Sequence, residues 1–554
     1  MNPASTPCAR RAALLFAGAA LLSSGLSAQN FKPADEWNYT VAKGDTLIGL
    51  IERLMLPSTN WQQLQKLNKL PSDRRLAPGS VLRIPVAWLR ADTAVATVTL
   101  AQGGVTVRRG MAELPAPAAG AELLPGDRIE TAAQSTLALR LVDGSKVVVA
   151  PQSKVVLESL LVYGKTGISE TRLKIEDGSV DSKVTPVASS ASRYIVTTPV
   201  FNLGVRGTDF RARYDASTQL AFNEVLEGKV ATQGKASEVQ IGAGFGTLAL
   251  INTEPKPPIK LLDAPQLKGV QARVEQVPLS IRWEAEADAK AYRAKVFQNQ
   301  TLERQLLEGV FATPTARWAD LPDGSYVLQV RSIDKDGLEG NSSTRDFVLK
   351  ARPVAPFSSQ PVDTSKVYGD DATFKWSASL AAEKYRLQVA DTADFKAPLV
   401  DRQDVLGTEL KLPLPPGTYF WRMAAVATGN DQGPFGAGFS FTQRKIPQSP
   451  SELEPPLVGE NEMLFSWKAS EPGQTFKYQV SSDPLFTTAL LDQATAEPKA
   501  RFPKPTPGTF YLRIKTIDAD GYEGPFGAPQ KFTLDEPPPN PWWKALPLLL
   551  LLFL

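Results

Sequence analysis

The sequence contains no histidine and one cysteine among its 554 residues. Without imidazole, the chain cannot build a Ser-His-Asp or Cys-His nucleophilic system, a histidine general base or a histidine-ligated zinc site. These absences exclude most hydrolase and zinc chemistry. We therefore expect a protein that is not an enzyme, with no catalytic residues, no metal site and no cofactor.

The single cysteine, Cys8, lies in an N-terminal segment typical of export. Arg10 and Arg11 precede the apolar run 12–22, and small residues follow as far as Ala28. This order predicts a signal peptide over residues 1–28, cleaved after Ala28, because the apolar run is too short to span a bilayer stably. A retained signal anchor is the alternative. The mature chain would have no cysteine, so each domain must be stable without disulfides.

Charge and composition favour a string of binding modules. Lys and Arg number 61 against 58 Asp and Glu, a near-neutral balance that gives no electrostatic reason to expect nucleic acid as a partner. The chain has 45 prolines and 39 glycines, which are common in turns between short strands. At about 100–200 residues per domain, we expect three to five domains, and the predicted fold is mainly β and multidomain.

Residues 37–86 combine strands with two short helices. A strand at Tyr39-Thr40-Val41 leads to Gly44-Asp45-Thr46-Leu47, and a helix with apolar positions at i, i+3, i+4 and i+7 follows, capped by Asp45 or Thr46. A second helix begins at Asn60, with Gln63 at the capping-box spacing. The last strand follows Leu76-x-Pro78-Gly79. The predicted order is β-α-α-β.

These motifs resemble the lysin motif (LysM) module, which binds N-acetylglucosamine polymers such as peptidoglycan. The resemblance implies a groove between the loop after the first strand and the loop after the second helix. The implied glycan-binding residues are Gly44, Asp45, Thr46, Leu47, Leu70, Pro71, Pro78 and Gly79. Loop backbone groups would bond the sugar, and Leu47 and Pro71 would contact its apolar face. The alternative is that Asp45 only caps the helix and Leu47 only belongs to the core.

Residues 95–250 predict an all-β domain. Short alternating runs lie at Val105-x-Val107, 137–141, Leu173-x-Ile175 and 222–230, and turns are predicted at Gly126-Asp127, Asp143-Gly144, Asp177-Gly178 and Glu227-Gly228. A carboxylate and a hydroxyl occur together at Gly207-Thr208-Asp209. We expect local turn bonds there, with Phe210 anchoring the next strand, rather than catalysis.

The amino-acid sequence of this region resembles the periplasmic FecR domain. The resemblance is strongest in I-V-T-T-P-V-F-N-L-G-V-R-G-T-D-F from Ile195 and in V-L-E-G-K-V from Val225. That family belongs to regulators that read an outer-membrane receptor and pass the signal inward to a sigma factor. The sequence departs from that plan, because a predicted signal peptide and a LysM module precede the domain. The resemblance therefore implies a protein-interaction domain whose partner is an envelope signalling or outer-membrane protein.

The remaining sequence repeats three times. Trp283, Trp376 and Trp467 are 93 and 91 residues apart, and Gly324, Gly417 and Gly508 repeat the same spacing. A period near 90 residues with alternating strands predicts β-sandwiches. They resemble fibronectin type III modules, at 260–350, 356–445 and 450–535. Proline-rich joints between modules are expected to keep them spaced apart. Asp391, Asp394, Asp518 and Asp520 are interpreted as turn formers rather than a calcium site.

The last segment, residues 537–554, is rich in proline and then leucine. Its apolar end is too short for a full span of about 30 Å of hydrocarbon. We expect it to insert partway into a membrane, with Trp542 and Trp543 at the headgroup level, or to dock onto protein.

Together these features predict a non-enzymatic, peptidoglycan-binding protein of the periplasm that tethers or senses at the envelope. The alternative is a surface-displayed adhesin or stalk anchored to the cell wall. The sequence does not identify the protein partner, the signal or the oligomeric state.

Overall fold

The computed structural model describes residues 36–71, 76–186 and 191–536. The predicted signal peptide, residues 1–28, and the C-terminal tail, residues 537–554, lie outside these ranges. The chain divides into two compact units, Met1–Lys350 and Ala351–Leu554. Within the described ranges, no helix is long and apolar enough to cross a membrane. The predicted mainly β, multidomain fold is confirmed.

The N-terminal domain of the first unit has the predicted β-α-α-β order. Strand β1 pairs antiparallel with β2, so that Tyr39 lies opposite Leu82. Asn60 caps the second helix, and its predicted capping box with Gln63 is present. The elements are β1 (Glu36–Thr40), α1 (Leu47–Leu54), α2 (Trp61–Leu67), β2 (Val81–Pro85) and a 3-10 turn (Val86–Trp88).

The apolar core of this domain continues into the middle domain. Leu47, Leu50 and Leu64 are fully buried, and they share one cluster with Tyr163 and Ile168 of the middle domain. A small domain buries a limited fraction of its surface, so this shared core adds to its stability. The N-terminal domain therefore packs directly on its neighbour and is not a separately tethered module.

The middle domain is all β, and its strands form a closed barrel. The strands are β3 (Asp92–Thr93), β4 (Ala96–Gln102), β5 (Val105–Arg109), β6 (Ala112–Glu113), β7 (Glu122–Leu123), β8 (Asp127–Thr131), β9 (Thr136–Arg140), β10 (Lys146–Val149), β11 (Lys154–Val162), β12 (Ser169–Lys183), β13 (Arg193–Thr197), β14 (Asn202–Val205), β15 (Asp209–Asp215), β16 (Leu220–Glu227), β17 (Lys229–Gln233), β18 (Glu238–Gly242), β19 (Phe245–Leu250) and β20 (Ile259–Lys260). Buried alternate residues of these strands, such as Val107, Leu139 and Leu173, form one core.

The long strand β12 connects two sets of neighbours. Its first part pairs with β11 and, in parallel, with β13, whereas its second part pairs with β10 and β15. The change occurs at Asp177-Gly178, which the sequence predicts as a turn between strands. That prediction is wrong in detail, because β12 continues through Gly178 with a φ of 85°. A Cβ at Gly178 would lie 2.5 Å from Ser153 Cα, so only glycine fits this crossing.

Each repeat forms two facing sheets, the predicted β-sandwich. The first contains β21 (Arg273–Val274), β22 (Leu279–Arg282), β23 (Ala291–Phe297), β24 (Gln305–Phe311), β25 (Thr315–Trp318), β26 (Gly324–Ile333) and β27 (Glu339–Leu349). The second contains β28 (Ser358–Gln360), β29 (Ser365–Tyr368), β30 (Asp371–Trp376), β31 (Lys384–Ala390), β32 (Val400–Val405), β33 (Glu409–Pro413), β34 (Gly417–Ala427), a 3-10 turn (Thr428–Asn430), β35 (Asp431–Phe435) and β36 (Phe439–Arg444). The third contains β37 (Leu457–Val458), β38 (Glu462–Ser466), β39 (Thr475–Ser481), β40 (Leu491–Thr495), β41 (Lys499–Pro503), β42 (Gly508–Ile517) and β43 (Gln530–Leu534).

The repeated tryptophans occupy equivalent core positions. Trp283, Trp376 and Trp467 are all buried, and each makes an edge-to-face contact with an aromatic ring nine residues later. The repeated glycines also coincide with structure, because Gly324, Gly417 and Gly508 begin equivalent strands. Aromatic pairs in this geometry add stability beyond their buried area. The sequence period therefore corresponds to a repeated core.

The glycine positions make a graded prediction for the middle domain. Gly178→Ala should destabilise it most, because the new Cβ overlaps Ser153 backbone. Gly207→Val should also cripple the domain, since φ is 57° and Pro186 lies 3.3 Å from the Cβ position. Gly244→Ala, where φ is 79° and no atom lies within 4 Å, should cost only the conformational penalty of about 1–2 kcal/mol.

Hydrogen exchange of middle-domain peptides in the mature chain measures this series. The expected order of lost protection is Gly178→Ala, then Gly207→Val, then Gly244→Ala. Equal protection in Gly178→Ala and Gly244→Ala would contradict the close approach of β12 to Ser153.

Candidate glycan-binding groove and buried ionic interface

The two loops predicted to form the glycan groove meet through their backbones. The Val41 N–H donates to Ser80 O at 2.8 Å, and the Gly79 N–H donates to Val41 O at 2.8 Å. Gly44 and Gly79 adopt φ values of 92° and 85°, which glycine reaches without strain. Pro78 and Gly79 are exposed beside this junction. The loop between Leu70 and Gly79 is described except for residues 72–75.

Asp45 is used inside the protein. Its carboxylate accepts hydrogen bonds from Tyr39 Oη, from the Ala42 N–H at 2.8 Å and from Arg53 Nη2 at 3.1 Å. Its side chain is 7 % exposed. Burial alone would raise the pKa of Asp45, but these hydrogen bonds and the Arg53 charge hold the pKa below its usual value. The carboxylate thus braces the first loop and has little surface left for a sugar.

The structure distinguishes the two candidate helix caps and corrects one predicted contact. Thr46 is the N-cap, because its Oγ1 accepts from the Gly49 N–H at 3.1 Å. Leu47 is fully buried, so the predicted contact between its side chain and a sugar face is wrong. Ile48, which the sequence reading missed, is 50 % exposed in the first turn of α1. Pro71 is also exposed, whereas Leu70 is half-buried.

The Gly207-Thr208-Asp209 segment contains one expected turn bond and one surprise. Thr208 Oγ1 donates to Arg206 O or Lys229 O, both at 3.0 Å, and Phe210 is fully buried as predicted. Asp209 makes no side-chain hydrogen bond within the described part of the chain, contrary to the expected local bond. It lies 3.8 Å from Lys183 Nζ, and partial burial raises its pKa.

A buried arginine joins the middle domain to the first repeat module. Arg211 on β15 donates from Nη2 to Glu339 O at 2.7 Å and to Gly340 O at 2.9 Å. Its Nε lies 3.2 Å from Glu224 Oε2, and the Glu339 N–H donates to Glu224 Oε1 at 2.8 Å. The Arg211 side chain is 4 % exposed. The loop at 334–340 of the module is therefore fixed to strands β15 and β16.

Glu339 is the centre of a wider ionic interface. Its carboxylate pairs with Arg293 and with Arg331, the latter at 3.2 Å, and Arg331 also pairs with Asp181 of the middle domain at 3.2 Å. Burial opposes ionisation of Glu339, but the surrounding arginines outweigh it and hold the pKa well below its usual range. We call the set Asp181, Arg211, Glu224, Arg293, Lys295, Glu308, Arg331 and Glu339 the ionic interface.

The same loop of the third module contacts the second module. Tyr522 occupies the position equivalent to Leu338, and its ring stacks on Tyr368 with centroids 3.8 Å apart. Tyr368 Oη also bonds Asp518 and Asp520. Lys366 pairs with Asp520 at 3.2 Å. The expectation that proline-rich joints keep the modules apart is therefore wrong at these two junctions, where the Asp-Gly-x-Glu-Gly loop (residues 336–340 and 520–524) packs against the preceding domain.

Sequence reasoning missed this interface, although a signal was present. Asp-Gly-Leu-Glu-Gly at 336–340 recurs as Asp-Gly-Tyr-Glu-Gly at 520–524, at the same place in the first and third repeats. Arg211 and Arg213 lie two residues apart in a segment whose other residues are typical of a buried strand. Charged residues at inward positions of a strand require partners, and such partners can come from a neighbouring domain.

Comparison with known protein families agrees with both N-terminal resemblances. The family model described as LysM domain matches residues 39–85, and the one described as FecR protein matches residues 127–231. The chain contains a LysM domain and a FecR domain. The matched FecR segment includes Arg211 and Glu224 of the ionic interface. No curated protein sequence matches the chain.

Three of the solved structures that resemble parts of the chain illustrate similarity at low sequence identity. Two are crystal structures of a candidate anti-sigma factor from Parabacteroides distasonis ATCC 8503, at 17 % and 15 % identity, TM-score 0.21 each, covering 24 % and 25 % of this chain and 59 % and 68 % of theirs. The third is the FN1–FN3 segment of chicken CNTN1, at 15 % identity and TM-score 0.22, covering 46 % of this chain and 94 % of that one. The chain thus spans 59 % of the first of these structures.

Removing one partner from the ionic interface should destabilise the first unit strongly. Glu339→Gln leaves Arg293 and Arg331 without their shared carboxylate, and losing one member of a buried pair typically costs about 3–5 kcal/mol. Glu523→Gln is the matched control in the third module, where Glu523 pairs with Lys515 at the surface with 52 % of its side chain exposed. That change should cost far less, because ion pairs exposed to solvent contribute little to stability.

Calorimetric unfolding of the mature chain at several pH values tests this prediction. Because the folded pKa of Glu339 is lowered, its contribution is complete above the ordinary value of 4.5 and is lost as the pH falls through the folded pKa. The difference between wild type and Glu339→Gln should therefore shrink in acid. Similar losses for Glu339→Gln and Glu523→Gln at neutral pH would show that the interface does not carry the stability.

Proposed function

We propose that the protein is a non-enzymatic, peptidoglycan-binding envelope protein that tethers or senses through its FecR domain. The observation that carries the proposal is the LysM match together with the backbone junction of the two groove loops. Exposed Pro78 and Gly79 on one side, and Gly44 and Thr46 on the other, offer backbone and apolar surface to a glycan chain. Recognition by backbone groups and a few apolar side chains suits an uncharged polymer.

The structure changes one residue of the groove that was predicted from the sequence, the residue that makes the apolar contact with the sugar. Leu47 is buried, whereas Ile48 is exposed directly after the first loop. We propose that Ile48 supplies the contact with the sugar face that Leu47 cannot make. Gly44, Thr46, Pro71, Pro78 and Gly79 remain proposed contact residues, and Asp45 acts by holding the loop.

The proposed sensing role rests on how the FecR domain is held. One cluster of FecR residues, which includes Tyr163 and Ile168, packs against the LysM domain. A second cluster, which includes Arg211 and Glu224, contacts the first repeat module. A LysM domain bound to the wall would therefore position the FecR domain directly. We propose a periplasmic location and an envelope signalling or outer-membrane protein as the partner, with export by the predicted signal peptide.

Substitution of Ile48 tests the glycan groove. Ile48→Asp removes an exposed apolar group, and an acidic residue in the first turn of a helix is tolerated or stabilising, so folding should be retained. Fully burying an exposed isoleucine side chain is worth about 1.5–3 kcal/mol, and Ile48 has about half of its surface left to bury. Binding to purified peptidoglycan should therefore weaken by about four- to twelvefold. The measurement is co-sedimentation of the mature chain with peptidoglycan over a range of wall concentrations.

Leu56→Asp is the matched control, because Leu56 is 38 % exposed just beyond the other end of α1. It should bind as the wild type does. If the wild-type chain stays in the supernatant, peptidoglycan binding is wrong. If the wild type sediments and Ile48→Asp sediments equally, the groove assignment is wrong and the broader proposal stands.

Labelling of intact cells with an impermeant reagent separates the periplasmic proposal from surface display. We expect no labelling of the mature chain until the outer membrane is opened. Capture of crosslinked partners with the full chain as bait should return envelope signalling or outer-membrane proteins. Labelling of intact cells would favour the stalk.

A further inference from the structure

A cavity of about 230 Å³ lies beside the ionic interface, between the FecR domain and the first repeat module. The FecR side contributes Thr136, Asp181, Asp209 and Arg211, and the module side contributes Lys295 and Arg331. At about 30 Å³ per water molecule, the space equals several waters, and it is below the volume typical of drug-sized ligands. An occupant would have to be small and polar.

Three buried donor groups at this cavity lack full hydrogen bonding within the described residues. Lys295 is 7 % exposed, and its Nζ lies 3.8 Å from Glu308 Oε2, beyond hydrogen-bond distance. Arg211 Nε and Nη1 make no hydrogen bond, although both lie near carboxylates. Thr136 Oγ1 is also unpaired, and Thr136 is 2 % exposed. Buried donors without a hydrogen bond are costly even beside a carboxylate, so their grouping favours an occupant that presents acceptor oxygens.

Acceptors line the same cavity nearer to solvent. Asp181 bonds Arg331 through Oδ2 at 3.2 Å, and its side chain is 33 % exposed. Asp209 is 30 % exposed and only 3.8 Å from Lys183 Nζ, with no side-chain hydrogen bond within the described chain. The cavity therefore offers donors in its buried part and carboxylates at its more exposed part.

The balance of charges around the cavity further restricts which class of molecule could bind there. The ionic interface contains four cationic and four anionic side chains, each within 4 Å of at least one side chain of opposite charge. Asp209 and Glu303, which also line the cavity, have their own lysine partners, Lys183 and Lys146. A site without net charge gives no advantage to a simple anion or cation, because each would be attracted by one set of groups and repelled by the other. A molecule carrying both charges complements both sets.

We propose that this cavity binds a small zwitterion, an α-amino acid with a small side chain. Its carboxylate accepts hydrogen bonds from Lys295, Arg211 and Thr136, and its ammonium group donates to Asp181 and Asp209. Because both domains line the cavity, binding stabilises their junction and gives the FecR domain a ligand-dependent state. The inference does not depend on wall binding.

Isothermal titration calorimetry of the mature chain tests the site, with glycine, L-alanine and D-alanine as probes. Propionate and ethylamine are the matched half-molecules, each carrying one of the two charges. We expect saturable binding of one or more amino acids at one site per chain, and at least about tenfold weaker binding of propionate and ethylamine. No saturable binding of any amino acid at millimolar concentration overturns the proposal, as does propionate binding as tightly as alanine.

Two variants locate the binding. Lys295→Gln removes the buried ammonium and should weaken binding at least about tenfold, a loss typical of one hydrogen bond to a charged group. Val148→Phe fills the cavity from the FecR side without changing its charged groups, and should also abolish binding, so it decides the matter if Lys295→Gln does not fold. Lys290→Gln, at an exposed lysine of the same module, should bind as wild type. Unchanged affinity in a folded Val148→Phe protein would place the ligand elsewhere and contradict the proposal.

Discussion

The first unit depends on a network of charges that is stable only when it is complete. Arg211 joins the FecR domain to Glu339 and Gly340 of the next module, and Arg331 returns from that module to Asp181. Taking such groups out of water costs several kcal/mol per ion, which their mutual attraction offsets only with good geometry. Each buried charge is therefore tolerated only while its oppositely charged partners stay in place. Displacing one domain would leave buried charges without their partners, which is strongly unfavourable.

Contacts of two kinds join three domains into one compact unit. The FecR domain shares a core with the LysM domain through Tyr163 and Ile168, and shares charges with the first repeat module through Arg211 and Glu224. The LysM and FecR domains are therefore held in a fixed position relative to each other. The first repeat module packs against the FecR domain and lines one side of the cavity.

Short sequence motifs and residue spacings predicted the folds of the domains well, but they predicted the contacts between domains poorly. The tryptophan and glycine periods identified equivalent core positions and strand starts, because both residue types have strict local requirements for burial and backbone shape. The helix cap at Asn60 and the turn at Gly144 follow from side-chain and backbone preferences of a few residues. Leu47 was different, since its helical spacing indicated a core position whereas the family resemblance implied a contact in the groove. Only the three-dimensional packing separates the two.

The interface charges could not be paired from sequence, because pairing depends on which domain lies next to which. The Asp-Gly-x-Glu-Gly loop shows the point. In the first module, Leu338 and Glu339 insert toward the FecR domain, with Leu338 packed against Phe222 and Leu261. In the third module, Tyr522 stacks on Tyr368, and Glu523 remains at the surface with Lys515. One loop thus serves an ionic contact at one junction and an aromatic contact at the other.

This difference gives the two junctions different responses to their surroundings. The Glu339 junction depends on ionised side chains, but their burial protects them from screening by salt, so acid rather than ionic strength should weaken it. The Tyr522 junction combines ring stacking with partly exposed ion pairs, such as Lys366 with Asp520, which salt screens more readily. Stacked rings lose little of their attraction when nearby charges are screened. The first and third modules therefore share the same loop motif, but different side chains of that loop contact the domain that precedes each module.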